Sequence, residues 1–390
     1  MGPLNGFKIV EVAGIGPGQF CGMLLADMGA QIIRVDRLTA GDLGIGIPAR
    51  YNLMNRSRPT IAADLKHPDG VELVLKLCES ADALFEGFRP GVMERLGLGP
   101  QVCMKRNEKL VYGRMTGWGQ CGPLADSVGH DTNYIALAGA LAAIGDKDGL
   151  PPIPLNIIGD LGGGGLFLAM GILAAMLEAS RSGKGQVVDA AMVDGVASLM
   201  TMFYGLLAGG MWRDERCSNL LDGAAPFVRT YATKDNKCVA LCTIENRFYR
   251  ALLEALEISD IDPADQHHQS KWPEHMAIFE KVFLTKTRDE WTDILEGTDS
   301  CFAPVLSLTE APAHPHNVAR KTFVEFDGVL QPSAAPRFSR TPNEIRSAPT
   351  EPGICNEEAL SAWGIPQATI AAWTEAGILG LKKGPGVGPG

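Results

Sequence analysis

The chain has 390 residues, 46% hydrophobic and 21% charged, which is enough for two domains and a sizeable core. A formal net charge of −10 argues against nucleic acid as the main partner, but leaves room for an anion bound by a local basic patch. Nine scattered cysteines without a CxxC pair read as reduced thiols of an intracellular protein, cytoplasmic or organellar, and seven histidines without HxxxH or HExxH argue against a metal site.

The N-terminus has no basic n-region or transit-like composition, so no targeting signal is expected there. Phe7–Val12 reads as a strand, Gly14–Gly18 as a Gly-rich turn, Phe20–Met28 as a helix and Gln31–Asp36 as a second strand. That is the outline of a parallel βαβ unit. The turn fits a nucleotide-binding edge and equally a plain tight turn, because its third glycine is misplaced for GxGxxG. The pattern repeats: strands at 60–65, 81–85 and 110–115, helical stretches at 69–79 and 90–96. A parallel α/β sheet covered on both faces follows. Arg37, Arg56, Arg58, Lys66, Arg89, Arg95 and Arg114 cluster at strand ends. Arg37, Lys66 and Arg89 each come just after a strand, at one sheet edge, and suit a nucleotide phosphate as well as a solvated rim.

Between Gly117 and Ala179 a glycine twice precedes an ionisable residue and an apolar run: Gly129-His130 before 134–144, and Gly159-Asp160 before 166–177. Each run predicts a buried helix, and no run reaches the 18–20 residues of a membrane span. His130 and Asp160 thus fall at helix starts, where free N–H groups favour developing negative charge. One imidazole and one carboxylate presented alike suggest a two-base proton-transfer site. Both residues also have structural explanations, since Asp is a favoured N-cap and a histidine beside glycine needs no chemistry.

Residues 186–189 predict a strand and 187–207 an apolar stretch with a long core helix. The loop 222–226 marks a domain boundary. Beyond it, 227–232 and 238–244 form a predicted hairpin around Lys234–Asn236, followed by helices at 247–256, 275–283 and 288–295 and a strand at 301–306. A Pro- and Ser-rich return and a last helical element near 357–372 complete the chain, with a low-complexity tail, GPGVGPG.

Several segments together carry a family resemblance: VEVAGIGPGQFCGMLLADMGAQIIRVDR, AADLK at 62–66, EGFRPGVMERLGLGP, RMTGWGQCGP, VGHDTNY, PLNIIGDLGGGG, SGKGQVVDAAMVDG and LLDGAAPF. Over about residues 3–310, with parts of 311–340, the chain resembles the α-methylacyl-CoA racemases of the family III CoA-transferase superfamily. The resemblance implies an isomerase of lipid metabolism that interconverts (2R)- and (2S)-2-methylacyl-CoA thioesters without a cofactor. It implies a Rossmann-like large CoA-binding domain (1–186 and 330–390), a linker helix region (187–224), a small α+β domain (225–315) and a return linker (316–329), in an interlocked homodimer. His130 and Asp160 match the family's catalytic pair, and Glu245 of a second copy would orient His130. Ile15, Arg37, Ala63, Asp64, Leu65, Lys66, Gly87, Phe88, Arg89, Arg95, Gly129, Asp131 and Tyr134 match CoA- and substrate-contacting positions, with the Asp131 region supplying N–H donors to an enolate. Two departures stand out: Asn246-Arg247 after Glu245, where Pro-Gln is common, and Phe88 in place of Tyr. The rival activities are a CoA-transferase of the same fold with Asp160 as nucleophile, and a non-catalytic acyl-CoA-binding protein.

Overall fold

The computed structural model describes residues 2–39 and 46–381; the GPGVGPG tail lies outside them. The described residues divide into two compact units. The first comprises Met1–Ala138, Pro154–Leu199 and Lys321–Gly390, and the second Gly139–Ile153 and Met200–Arg320. Residues 139–153, read from the sequence as part of the large domain, therefore pack with the second unit.

The first unit is built on a six-stranded parallel sheet: β1 Lys8–Val12, β2 Gln31–Arg37, β3 Thr60–Ala63, β4 Ala83–Glu86, β5 Val111–Thr116 and β6 Val187–Ala191, in the order β3-β2-β1-β4-β5-β6. Alternate residues of the four inner strands β2, β1, β4 and β5 enter different cores, as a sheet buried on both faces requires. Val10, Ile33, Leu84 and Tyr112 pack with helix Pro68–Ser80 and the C-terminal helices Asn356–Ala362 and Gln367–Glu375. Ile9, Ile32, Phe85 and Val111 pack instead with helices Pro17–Asp27 and Phe167–Ser182. The strand order reverses between β1 and β4, and ligands of such sheets bind at the carboxyl edge beside such a reversal. Three of the basic residues marked in the sequence prove structural. Arg56 pairs with Asp27 at 2.6 Å, Arg58 with Glu11 at 2.5 Å and Arg114 with Glu94 at 2.9 Å; the first two pairs are buried.

The second apolar run begins earlier than its periodicity suggests. Ile157–Leu166 is wound as a π-helix and continues directly into Phe167–Ser182. The glycines let other backbones come close. A Cβ on Gly165 would lie 2.5 Å from Pro17 O, and one on Gly163 would lie 2.9 Å from Val196 N. By length and composition, the 26 residues Ile157–Ser182 could cross a membrane. That corrects the count of apolar runs made from the sequence, which had stopped at the glycines. Here Leu168, Ala169, Ile172, Ala175, Met176 and Ala179 are core residues over the sheet, while Leu166, Met170 and Leu177 are exposed. The first run makes only a short helix, Asp131–Leu137, because Gly139 turns at φ +82°. The expected long helix before residue 207 is two, Met192–Leu199 and Thr201–Ala208, the latter with no buried residue.

The second unit holds the expected hairpin, β7 Val228–Ala232 with β8 Cys238–Cys242, and β9 Phe302–Pro304 pairs antiparallel to β8. Helices Asn246–Ala255, Trp272–Phe283 and Arg288–Leu295 cover it around Phe227, Tyr249, Phe279, Phe283 and Trp291.

Candidate active site

Four segments reach the carboxyl edge of the parallel sheet. Arg37 ends β2 opposite Ala63 of β3, so Arg37 and the Ala63–Lys66 segment are neighbours. Ala63 is buried, Asp64 and Leu65 are half-buried and Lys66 is exposed. Asp64 Oδ1 accepts the Lys66 N–H at 3.0 Å, which shapes this turn, and the Asp64 N–H donates to Ile378 O, also at 3.0 Å. Gly87, Phe88 and Arg89 follow β4, and Arg95 ends the short helix Val92–Arg95. Arg37, Lys66, Arg89 and Arg95 are all exposed, and none pairs with a carboxylate among the described residues. Ile15 is exposed in the Gly-rich turn after β1.

Glu86 is an acid the sequence reading passed over. It ends β4 and is 1% exposed. Burial pushes its carboxyl up to about 7, against the pull of the Phe88 N–H and of Arg114. It accepts the Phe88 N–H at 2.6 Å and meets Arg114 at 3.3 Å, so it fixes the start of the Gly87–Arg89 loop. Its signal in the sequence was an acid closing an otherwise apolar strand, Ala83–Glu86.

His130 stands at the N-cap of Asp131–Leu137 with its side chain exposed, and its N–H donates to Asn133 Oδ1 at 2.9 Å. The Tyr134 hydroxyl donates to Gly129 O, and its ring meets Trp118 edge-on at 4.7 Å. A Cβ on Gly117 would lie 2.1 Å from that ring, so only glycine fits there. Burial first, and then the charge of Asp160, push the Tyr134 hydroxyl up to about 12, while Arg89 opposes them.

Asp160 lies in the first turn of the π-helical segment and is half-buried. Asn156 Nδ2 donates to its Oδ2 at 3.0 Å. Gly16, at φ +60°, leaves the space beside it open, since a Cβ there would sit 3.0 Å from Oδ2. Burial raises the Asp160 carboxyl above the ordinary range, the Asn156 bond lowers it, Asp131 raises it and His130 lowers it. His130 and Asp160 are thus electrostatic neighbours in one unit. The Asp131 carboxylate departs from expectation. It turns inward, and its Oδ2 accepts the N–H groups of Gly159 and Asp160, each at 2.7 Å. Its side chain is thus committed to protein backbone.

Glu245 belongs to the second unit, exposed at the N-cap of Asn246–Ala255, with the Arg247 guanidinium 4.3 Å from the centroid of the Phe248 ring. Among the described residues, no group of three or more His, Cys, Asp or Glu is arranged to hold a metal.

The sequence matches a family model over most of its length. The model of CoA-transferase family III covers residues 4–354. The chain belongs to CoA-transferase family III. Among curated members, it is 43% identical over 371 residues to the α-methylacyl-CoA racemase of Mus musculus, and 39% identical over 372 residues to that of Homo sapiens. Each alignment covers 94% of this chain and 95% of the relative. The family fold recurs in a CaiB/BaiF family protein from Brucella suis, with a TM-score of 0.79 at 24% identity over 93% of this chain and 99% of that one.

Proposed function

We propose that this protein is a cofactor-independent isomerase that interconverts the 2R and 2S epimers of 2-methyl-branched acyl-CoA thioesters. What carries the proposal is the pairing of His130 with an Asp160 whose carboxyl is held up towards the protonated form beside it. The names of the mouse and human relatives support the same substrate class. The C2–H of such a thioester is acidified by the adjacent carbonyl. One of the two groups takes that proton, leaving an enolate, and the conjugate acid of the other returns a proton to the opposite face. Neutral His130 with protonated Asp160 runs the exchange in one direction, and the reverse pair runs it in the other. Asp131 contributes its backbone N–H to the enolate oxygen. The CoA moiety lies along Ile15, Arg37, Ala63–Lys66, Gly87–Arg89 and Arg95, with the arginines and Lys66 on phosphate. Gly129 and Tyr134 border the thioester.

The working form is a homodimer in which Glu245 of a second copy orients His130. The exposed face of Leu166, Met170 and Leu177 supports a second copy of this chain as a partner.

The test is exchange of the C2 proton with solvent deuterium, with no acceptor acid present, across a panel of 2-methylacyl-CoA thioesters. Wild type exchanges; His130→Ala and Asp160→Ala each slow exchange roughly 10²–10⁴-fold and keep their CoA affinity. Wild-type CoA transfer to a free acid without proton exchange would sink the reading.

A further inference from the structure

Asp131 is 5% exposed, and its Oδ2 holds two amides of the first turn of Ile157–Leu166. No carbonyl of the same helix reaches amides at that end. The fit is tight from the other side too. A Cβ on Gly159 would lie 2.6 Å from Oδ2 and 2.9 Å from Cγ, so the carboxylate occupies the place of a side chain. The second oxygen, Oδ1, is buried with no hydrogen-bond partner among the described residues. A carboxylate desolvated on one oxygen depends strongly on the bonds made by the other.

We propose that Asp131 is a positioning residue whose carboxylate ties the Gly159-Asp160 backbone to that of His130 and so sets the separation of the two proton-transfer groups. The inference rests on the epimerase reading above. Asp131 follows His130 directly in the chain, and one hydrogen bond joins its Oδ2 to the Asp160 amide, so the link between the two groups is short. A misplacement of about 1 Å at a reacting centre costs roughly 10²-fold in rate. The same charge disfavours ionisation of Asp160, in concert with burial and against Asn156 and His130. Tyr134 and Arg89 are the next ionisable neighbours, and Gly16 on the other side brings no charge.

The test is a cycle of Asp131→Ala, Asp131→Asn, Gly159→Ala and the Asp131→Ala/Gly159→Ala double variant. Exchange kinetics and thermal unfolding are measured on each, together with a carbon-13 NMR titration of the Asp160 carboxyl. Asp131→Ala and Gly159→Ala attack one contact from its two sides. Each is expected to lower kcat for exchange about 100-fold with KM within about twofold. The double variant is expected to be no worse than Asp131→Ala alone. Asp131→Asn keeps an oxygen for both amides and is expected to retain most of kcat. Its loss of charge lowers the pH at which Asp160 titrates and moves the matching limb of the rate profile the same way. Additive losses, or a raised KM with kcat intact, overturn the proposal. So does an Asp160 titration unchanged in both Asp131→Asn and Gly159→Ala. The NMR arm needs no turnover, so a wild type that fails to exchange sinks the epimerase reading and leaves the positioning claim to be judged by the titration. If Asp131→Ala does not fold, Asp131→Asn and Gly159→Ala decide.

Discussion

Gly16 shows how one missing methyl group governs a carboxylate. Its φ of +60° suits glycine, and an added Cβ would stand 3.0 Å from Asp160 Oδ2. Gly16→Ala is therefore expected to turn the Asp160 carboxyl away from its bond with Asn156 and to lower kcat for exchange about tenfold or more. CoA affinity, measured by calorimetry, should stay near wild type, and an unchanged kcat would contradict the contact. At this scale the sequence named His130 and Asp160 by their neighbours, a glycine before and an apolar run after. It could not reveal what Asp131 does, because its acceptor role joins segments that only folding brings together. The basic residues divide for the same reason. Arg37, Arg56, Arg58 and Arg89 look alike in the chain, yet Asp27 and Glu11 lie within reach of two of them only.

Elements place these residues, and β4 places one whose charge state folding alters. Glu86 titrates near 7 in the fold, against 4.5 ordinarily, so the folded protein keeps a proton that the unfolded chain gives up. The stability from that proton is full below about 4.5 and is lost as pH rises through 7. Glu86→Gln keeps an acceptor for the Phe88 N–H and does not ionise. Between pH 5 and pH 8, wild type is expected to lose up to about 3 kcal/mol relative to that variant, read from urea unfolding at the two pH values. A constant difference between them would show that Arg114 keeps Glu86 ionised throughout. The strand–helix alternation up to residue 116 was legible from periodicity, since parallel strands buried on both faces are near-continuous apolar runs. The start of the Ile157–Ser182 helix was not. The apolar run placed the helix only from 166, after the glycines, whereas here those glycines are helical and admit the backbones of Pro17 and Val196.

At the scale of the whole molecule, apolar surface is left uncovered along one long helix. Leu166, Met170 and Leu177 are each more than half exposed, on a helix whose other face is core. If the proposed homodimer uses this face, Met170→Asp and Leu177→Asp shift it from dimer to monomer in sedimentation, and exchange activity falls with it. A stable dimer in both variants would move the interface elsewhere. The sequence by itself determined the parallel α/β class, the hairpin at Lys234–Asn236 and the candidate pair His130 and Asp160, because each is written in local periodicity or in a residue beside its own helix start. Only the tertiary structure decided which arginines meet a buried carboxylate, that burial raises the Glu86 carboxyl, and that Asp131 grips the backbone of Asp160. Those outcomes depend on burial and on contacts between segments distant in sequence, which local patterns do not encode.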